Sequence, residues 1–365
     1  MISSKDYNLG DFEYPRGWFM IAELSEIKDQ PISLRFFGKN LVLYRGRETN
    51  RLVLLDAHCV HMGAHLGRGR QTAIVKNDEQ IDGDGIRCPY HGWRYSAEGV
   101  LDDVPYFDGP CPKGANLKSY TVVEKCGAAM MWHDPEGGEP NFDLPALEEW
   151  DRPEWIAGQY DHLGELNIHP QEILDNMADA NHFAPTHGLD NEYFENCYLD
   201  QVYIQRQGGF RAEYNAYLTT YTFYTGPGLL VSRQRIGDIQ AIELIFNTPV
   251  EQGVTKVWHN NVWKSENNPP TEKDYKKAKE FQAEILAAFS QDFDVWSSKE
   301  PALDILALAV EKNFSLGRTW HKQFYNPRMK EKEFHSKLPE QYSPQHKDPA
   351  GDIAAEYETT FKTHF

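Results

Sequence analysis

Near the middle of the chain, Asp175-Asn176-Met177-Ala178-Asp179-Ala180-Asn181-His182-Phe183-Ala184-Pro185-Thr186-His187 brings two imidazoles and a carboxylate within nine residues. Read as a helix from Gln171 to Phe183, it sets Asn176, Asp179 and His182 along one stripe, because residues three apart are neighbours on a helix surface. Pro185 would end that helix and let the chain turn His187 back toward His182. Two neutral imidazoles suit a divalent iron, zinc or copper ion, and one further carboxylate would complete a facial set for non-haem Fe(II). Capped or surface histidines are the structural alternative, since a chain with 14 histidines can supply such spacing by chance.

A second cluster lies upstream, in Cys59-Val60-His61 and Cys88-Pro89-Tyr90-His91. Two cysteine and histidine pairs can hold a tetrahedral zinc, or a [2Fe-2S] cluster with two cysteines on one iron and two histidines on the other. Thiolates and imidazoles satisfy either, so the donor types leave both open.

The elements that must position these residues fall into two regions. Ile32–Phe37, Leu41–Tyr44 and Leu52–Leu55 read as a meander of short strands broken at Gly38-Lys39-Asn40 and at 46–50, and Tyr120–Glu124 and Ala128–Trp132 would close a small all-β domain. The turn-rich Asp134–Pro140 marks the boundary, giving residues 1–135 as the first domain and 136–365 as the second. The second reads as α+β, an antiparallel sheet with flanking helices: strands are expected at Val202–Gln205, Tyr214–Phe223, Ala241–Thr248 and Val254–Trp263. Thr271–Trp296 is the strongest helix, with Phe281, Ile285, Phe289, Phe293 and Trp296 on one face. The tail from Pro327 is charged and without clear periodicity.

Composition narrows the partners. At 365 residues the chain has room for about two domains. A formal charge of −18 sets it against nucleic acid and anionic membranes. No apolar run reaches the ~18 residues of a membrane span, and the polar start lacks a secretory layout, so a cytoplasmic location is expected. Five thinly spread cysteines argue against a disulfide framework.

The flanking residues of the upstream pairs, His58-Cys59-Val60-His61-Met62-Gly63-Ala64 and Cys88-Pro89-Tyr90-His91-Gly92-Trp93-Arg94-Tyr95, resemble the Rieske cluster-binding signature. That resemblance implies a [2Fe-2S] cluster held by Cys59, His61, Cys88 and His91, with Gly63 and Gly92 letting backbone amides approach its sulfurs. Followed by Asp179-x-x-His182-x4-His187, the chain from about residue 15 to 325 resembles the oxygenase component of Rieske non-haem iron oxygenases. The resemblance implies a mononuclear Fe(II) on His182 and His187, and gives Asp179 the role of an electron bridge to the Rieske histidine of a neighbouring subunit. It also calls for an acidic third ligand. Asp292 shares the apolar face with Phe289 and Trp296, whereas Asp294 is turned away, so Asp292 is expected on the metal.

Further expectations follow from the same resemblance. Electrons from NADH or NADPH would arrive through a separate ferredoxin reductase, or a reductase with its own ferredoxin domain, and O2 would be the co-substrate. Thr225–Val231, Tyr221–Tyr224 and Asp175–Asp179 are similar to the 3-ketosteroid 9α-hydroxylase oxygenase group, which implies a homotrimer hydroxylating a bulky apolar substrate, a 3-ketosteroid in the first instance. Phe223, Tyr224, Leu229, Leu230, Phe246 and Trp263 are the expected pocket residues. O- and N-demethylases and arylamine oxygenases share the frame, and a Rieske electron carrier is the alternative of another class. One departure stands out: 26 residues separate His61 from Cys88, the excess lying in Arg70–Gly85, which reads as an acidic surface loop.

Overall fold

The computed structural model describes residues 2–212 and 214–345, so the last part of the charged tail lies outside the described residues. It divides into two compact units: Phe19–His133, and the residues up to Trp18 together with those from Asp134 on. The first compact unit thus starts at Phe19, within the strand Gly17–Glu23. The expected span of 1–135 gave it an N-terminal segment that packs with the second unit, where the Tyr7 hydroxyl donates to the buried Glu172 and Arg16 donates to the Gln323 carbonyl at 3.1 Å.

The first unit is all β. Ile32–Phe36, Lys39–Arg45 and Leu52–Asp56 pair in sequence and are joined by Ser119–Tyr120; Gly17–Glu23, Ala128–His133 and Val122–Lys125 form a second sheet. Phe37 and Gly38 take φ of 52° and 68°, the two positive values that a two-residue primed hairpin turn demands. Four short strands, Ile81–Asp82, Gly85–Arg87, Arg94–Tyr95 and Leu101–Asp103, make a third sheet from which one cysteine loop springs. The core comprises Val42, Tyr44, Leu55, Ile86 and Tyr95, and it includes Cys59 and Cys88.

The long connection is built into this unit. Ala73–Lys76 is a helical turn, and Ile81 pairs with Ile86. Its acids meet partners: Asp84 Oδ1 accepts from the Glu48 and Thr49 amides at 3.0 Å each, Asp78 pairs with Arg47, and Asp82 bridges Arg87 and Arg94. Residues 76–79 are exposed, as expected of an acidic surface loop, while Asp82 and Asp84 tie its base to the unit.

The second unit is α+β, centred on a nine-stranded antiparallel sheet. The strands run Trp155–Ala157, Val254–Lys264, Ile239–Glu251, Leu229–Ile236, Ala216–Thr225, Val202–Arg211, Tyr193–Leu199 and Gln341–Gln345, with Asp161–Leu166 also pairing with Val254–Lys264. The tail from Pro327 thus carries an unforeseen strand, which pairs with Tyr193–Leu199 and forms the edge of the sheet. The long helix Glu272–Ser298 starts at Thr271, whose hydroxyl and the Asp274 carboxylate form a reciprocal capping box. Its apolar side packs on the sheet: Ala278 and Phe281 meet Ala241 and Trp263, while Phe289, Phe293 and Trp296 join Leu230, Ile245 and Val257. Among the described residues no helix is long and apolar enough to cross a membrane.

Candidate metal centres and active-site cavity

The two cysteine loops share one backbone pattern. The Cys59 amide donates to the Ala64 carbonyl and the Gly63 amide returns to the Cys59 carbonyl, at 2.9 and 2.8 Å; Cys88 with Trp93 and Gly92 with Cys88 repeat this at 2.8 and 3.0 Å. Gly63 and Gly92 hold φ of 74° and 76°, so glycine is required because each turn closes through the left-handed region. The cysteines are buried at 2% and 1% exposure, while the His61 and His91 rings meet edge to face at 4.6 Å nearer the surface. His61 also stacks on Trp93 at 4.4 Å. A hydrogen bond with Cys88, aided by the Tyr95 hydroxyl at 3.1 Å, draws the Cys59 thiol down to about 5, and the same bond with burial pushes Cys88 up. Two convergent thiols and two adjoining imidazoles fit a Rieske cluster by donor chemistry.

The central stretch is not one helix. Pro170 opens a helix at its first position, where a proline loses no hydrogen bond, and the helix runs only to Asp175. A 3-10 turn covers Asn176–Ala178, and Asp179 then leaves helical space at φ −90°, ψ 92°. A second short helix, Phe183–His187, begins after the break. Pro185 lies within its first turn and does not terminate the earlier helix; Gly188 ends the new one at φ 66°. The break replaces the expected stripe with local hydrogen bonds. Asp179 Oδ1 accepts from the Asn181 and His182 amides at 3.1 and 3.2 Å, and burial of Asp179 is outweighed by its bonds to His182, which lower its pKa.

His182, His187 and Asp292 each offer a donor atom, and these atoms lie within 4.8 Å of one another. The tautomers are set by their partners. His182 Nδ1 donates to the Asp179 carbonyl at 2.7 Å and His187 Nδ1 to Gln291 Oε1 at 2.8 Å, so both rings turn a bare Nε2 inward. His187 Nε2 stands 3.4 Å from Asp292 Oδ1, and the Asn176 amide lies 3.4 Å from His182 Nε2. Burial opposes charge on His187, but Asp292 and Gln291 raise its pKa. Asp292 is buried and Asp294 exposed, as their positions on the helix dictate. Two imidazoles and one carboxylate leave coordination positions open, the arrangement that suits non-haem Fe(II).

The three groups line a cavity of about 270 Å³ between the sheet and the long helix. Leu230, Ile245, Phe281, Phe289 and Trp296 supply its apolar side; Gln205, Gln207, Thr220, Thr222, Ser232, Gln234 and Glu243 supply a polar one. Of the six pocket residues expected from sequence, Leu230 alone lines this cavity. Phe223, Leu229 and Phe246 project from the other face of the sheet, one residue out of phase with Thr222, Leu230 and Ile245. Tyr224 packs against Trp320, and Trp263 against Phe281 and Ile156. The signal that would have found the polar wall is the two-residue repeat of polar residues at 205 and 207, 220 and 222, and 232 and 234.

A small β domain with paired cysteine–histidine loops, joined to an antiparallel sheet bearing a two-histidine, one-carboxylate set, has the layout of a Rieske oxygenase. Residues 17–121 match the Rieske [2Fe-2S] domain, and the chain is an enzyme of the Rieske monooxygenase type, an oxygenase component. Residues 131–325 match the 3-ketosteroid 9alpha-hydroxylase C-terminal domain, and the chain belongs to that family. The 3-ketosteroid-9-alpha-monooxygenase oxygenase component of Rhodococcus rhodochrous is 28% identical over 329 residues, covering 86% of this chain and 81% of the relative. Cholesterol 7-desaturase nvd 2 of Ciona intestinalis is 27% identical over 352 residues, covering 87% and 74%. Among solved structures, dicamba monooxygenase bound to dicamba superposes with a TM-score of 0.66 at 16% identity, covering 85% of this chain and 97% of that one. NdmA of Pseudomonas putida CBB5 with caffeine gives 0.70 at 15% identity, covering 95% and 99%; both likenesses concern the fold alone.

Proposed function

We propose that this chain is the terminal oxygenase of a system that hydroxylates a 3-ketosteroid, with electrons from NAD(P)H delivered by a separate reductase. The observation that carries this is the convergence of His182, His187 and Asp292 donors within 4.8 Å on the wall of a cavity, in a chain that also has a Rieske domain. When bound, the [2Fe-2S] cluster supplies one-electron transfer and the mononuclear Fe(II) supplies O2 activation. Cys59, His61, Cys88 and His91 would hold the first, and His182, His187 and Asp292 the second. A pure electron carrier has no use for the second set.

The steroid reading draws on the relatives' names together with the apolar side of the cavity, where Phe281, Phe289 and Trp296 offer flat hydrocarbon contact. Asp179 bonds His182 through its own carbonyl and retains a carboxylate, which suits it to bridge toward the Rieske histidine of an adjacent subunit in a homotrimer. Met62 and Tyr90, 64% and 62% exposed beside the ligand histidines, offer such a neighbour apolar contact.

Metal analysis with a steroid panel tests the proposal. The purified chain should hold about three irons, and His182→Ala should lose one of them together with turnover while keeping the Rieske visible spectrum. Full activity of that variant would reject the iron site. Turnover of an aromatic amine or ether, with none on any 3-ketosteroid through a surrogate reductase, would reject the substrate class.

A further inference from the structure

The sheet wall of the cavity is polar along two rows that cross the strands. In one row Gln205 pairs with Thr222, Thr222 with Ser232 and Ser232 with Glu243; in the other Gln207 pairs with Thr220 and Thr220 with Gln234. A wholly apolar occupant would leave this wall facing hydrocarbon, at a cost in lost hydration for each polar group without a partner. Part of the wall satisfies itself. The Thr222 and Ser232 hydroxyls bond at 2.8 Å, and Gln234 Nε2 donates to Glu243 Oε2 at 2.8 Å.

Acceptor capacity remains. Gln207 is 6% exposed and its Oε1 has no hydrogen-bond partner. Glu243 is 9% exposed, and its Oε1 receives His259 Nε2 at 3.2 Å, while His259 Nδ1 reaches Asp161 Oδ2 at 2.9 Å. His259 is fully buried between the two carboxylates; burial opposes its charge, but the bonds to Glu243 and Asp161 prevail and raise its pKa. A carboxylate offers about four lone-pair sites. Glu243 has one donor on each oxygen and faces the cavity, so it can accept again and, as a carboxylate, has no proton to give. A ketone oxygen, itself only an acceptor, would meet it unfavourably.

We propose that Glu243 accepts a hydrogen bond from a hydroxyl group of the substrate, so that the cavity selects a hydroxylated steroid over its fully ketonic counterpart. This rests on the steroid reading above and narrows it. A neutral hydroxyl is the fitting donor because the His259 ring already stands against Glu243. His259 and Asp161 act as positioning residues that fix the carboxylate from behind.

The test is ligand binding by the cofactor-loaded full chain without reductase, read from quenching of tryptophan fluorescence, since Trp296 lines the cavity. The ligands are a 3,17-diketosteroid and the two alcohols made by reducing one ketone or the other. The 17-alcohol, which keeps the 3-ketone, is expected to bind roughly tenfold or more tightly than the diketone, the scale of one hydrogen bond to a charged acceptor; the same preference for the 3-alcohol instead would overturn the 3-ketone of the proposed substrate. Glu243→Gln should erase that preference, because its amide can donate to a ketone. Equal binding of all three by the wild type, or a preference that survives in Glu243→Gln, overturns the role of Glu243 and leaves the steroid reading standing. Failure of every steroid to bind the wild type overturns both. Should the variant not fold, the wild-type comparison decides by itself.

Discussion

Arg318→Met should unfasten the segment that carries the central histidine site. Asp175, immediately before Asn176, is 9% exposed, and Arg318 holds it with two bonds, Nε to Oδ1 at 3.1 Å and Nη2 to Oδ2 at 2.6 Å. Gln171 Nε2 adds a third at 2.8 Å. Methionine keeps most of the length of the side chain and removes the countercharge. Breaking one side of a buried, hydrogen-bonded ion pair costs about 3–5 kcal/mol, because the remaining charge is left without compensation. For a unit of this size each kcal/mol moves the melting temperature by about 2–4 °C, so a fall of roughly 6–20 °C is expected.

The pH dependence supplies a sign. Burial raises the Asp175 pKa against the pull of Arg318, and losing Arg318 raises it further. A carboxyl whose folded value lies above its unfolded value near 3.9 contributes stability present below that value and lost as pH climbs through the folded one. The deficit of Arg318→Met should therefore widen from pH 4 toward pH 7. Asp175→Asn in the same chain should recover most of the loss, since a buried amide needs no countercharge. Differential scanning calorimetry across that range is the assay. A loss under about 1 kcal/mol, or a double variant as unstable as the single one, would refute the reasoning.

The two cluster loops can be separated from each other. Gly63→Ala should cost about 1–2 kcal/mol for left-handed backbone alone, since nothing lies within 4 Å of an added Cβ, whereas Gly92→Ala should cost more because Pro105 Cγ stands 3.0 Å away; thermal melts followed at the cluster absorbance would rank them. His259, with Glu243 and Asp161 facing it and Phe289 beside it, has a raised pKa, so its stabilising effect is full below about pH 6.5 and lost as pH rises through the folded value. The melting temperature of His259→Gln should consequently fall less than that of wild type between pH 6.5 and 9. Asp292→Asn should lower mononuclear iron content while Asp294→Asn leaves it unchanged, as iron-to-protein ratios would show; equal effects would undo the choice between them.

Much of the chemistry was legible because it resides in residue types at short range. Cys59, His61, Cys88 and His91 lie on two short loops, and spacings of three and four residues put Asp292 on the same face as Phe289 and Trp296. The α+β layout and the long helix were legible for the same reason: the spacing of apolar side chains follows the helix period over 27 residues. Where the sequence misled, a competing local hydrogen bond or a tertiary contact had overridden the periodic pattern. Helical backbone ends at Asp179, whose carboxylate takes the Asn181 and His182 amides instead. The N-terminal residues join the second unit through Tyr7 and Arg16. The strand Leu229–Ile236 carries Ser232 and Gln234 on the face that borders the cavity, while Arg233 between them pairs with Glu149.

The amino-acid sequence by itself determined the two donor sets, the order of the domains and the helix face bearing Asp292, since covalent spacing and helical period act within a few residues. Only the tertiary structure decided what the cavity presents to a substrate. A strand shows opposite faces at alternate residues, and nothing local to Phe223 or Thr222 says which of them will meet the cavity. That choice was made by the pairing of four strands and by the helix laid across them, which turned Phe223, Leu229 and Phe246 away and left Thr222, Ser232 and Glu243 facing inward.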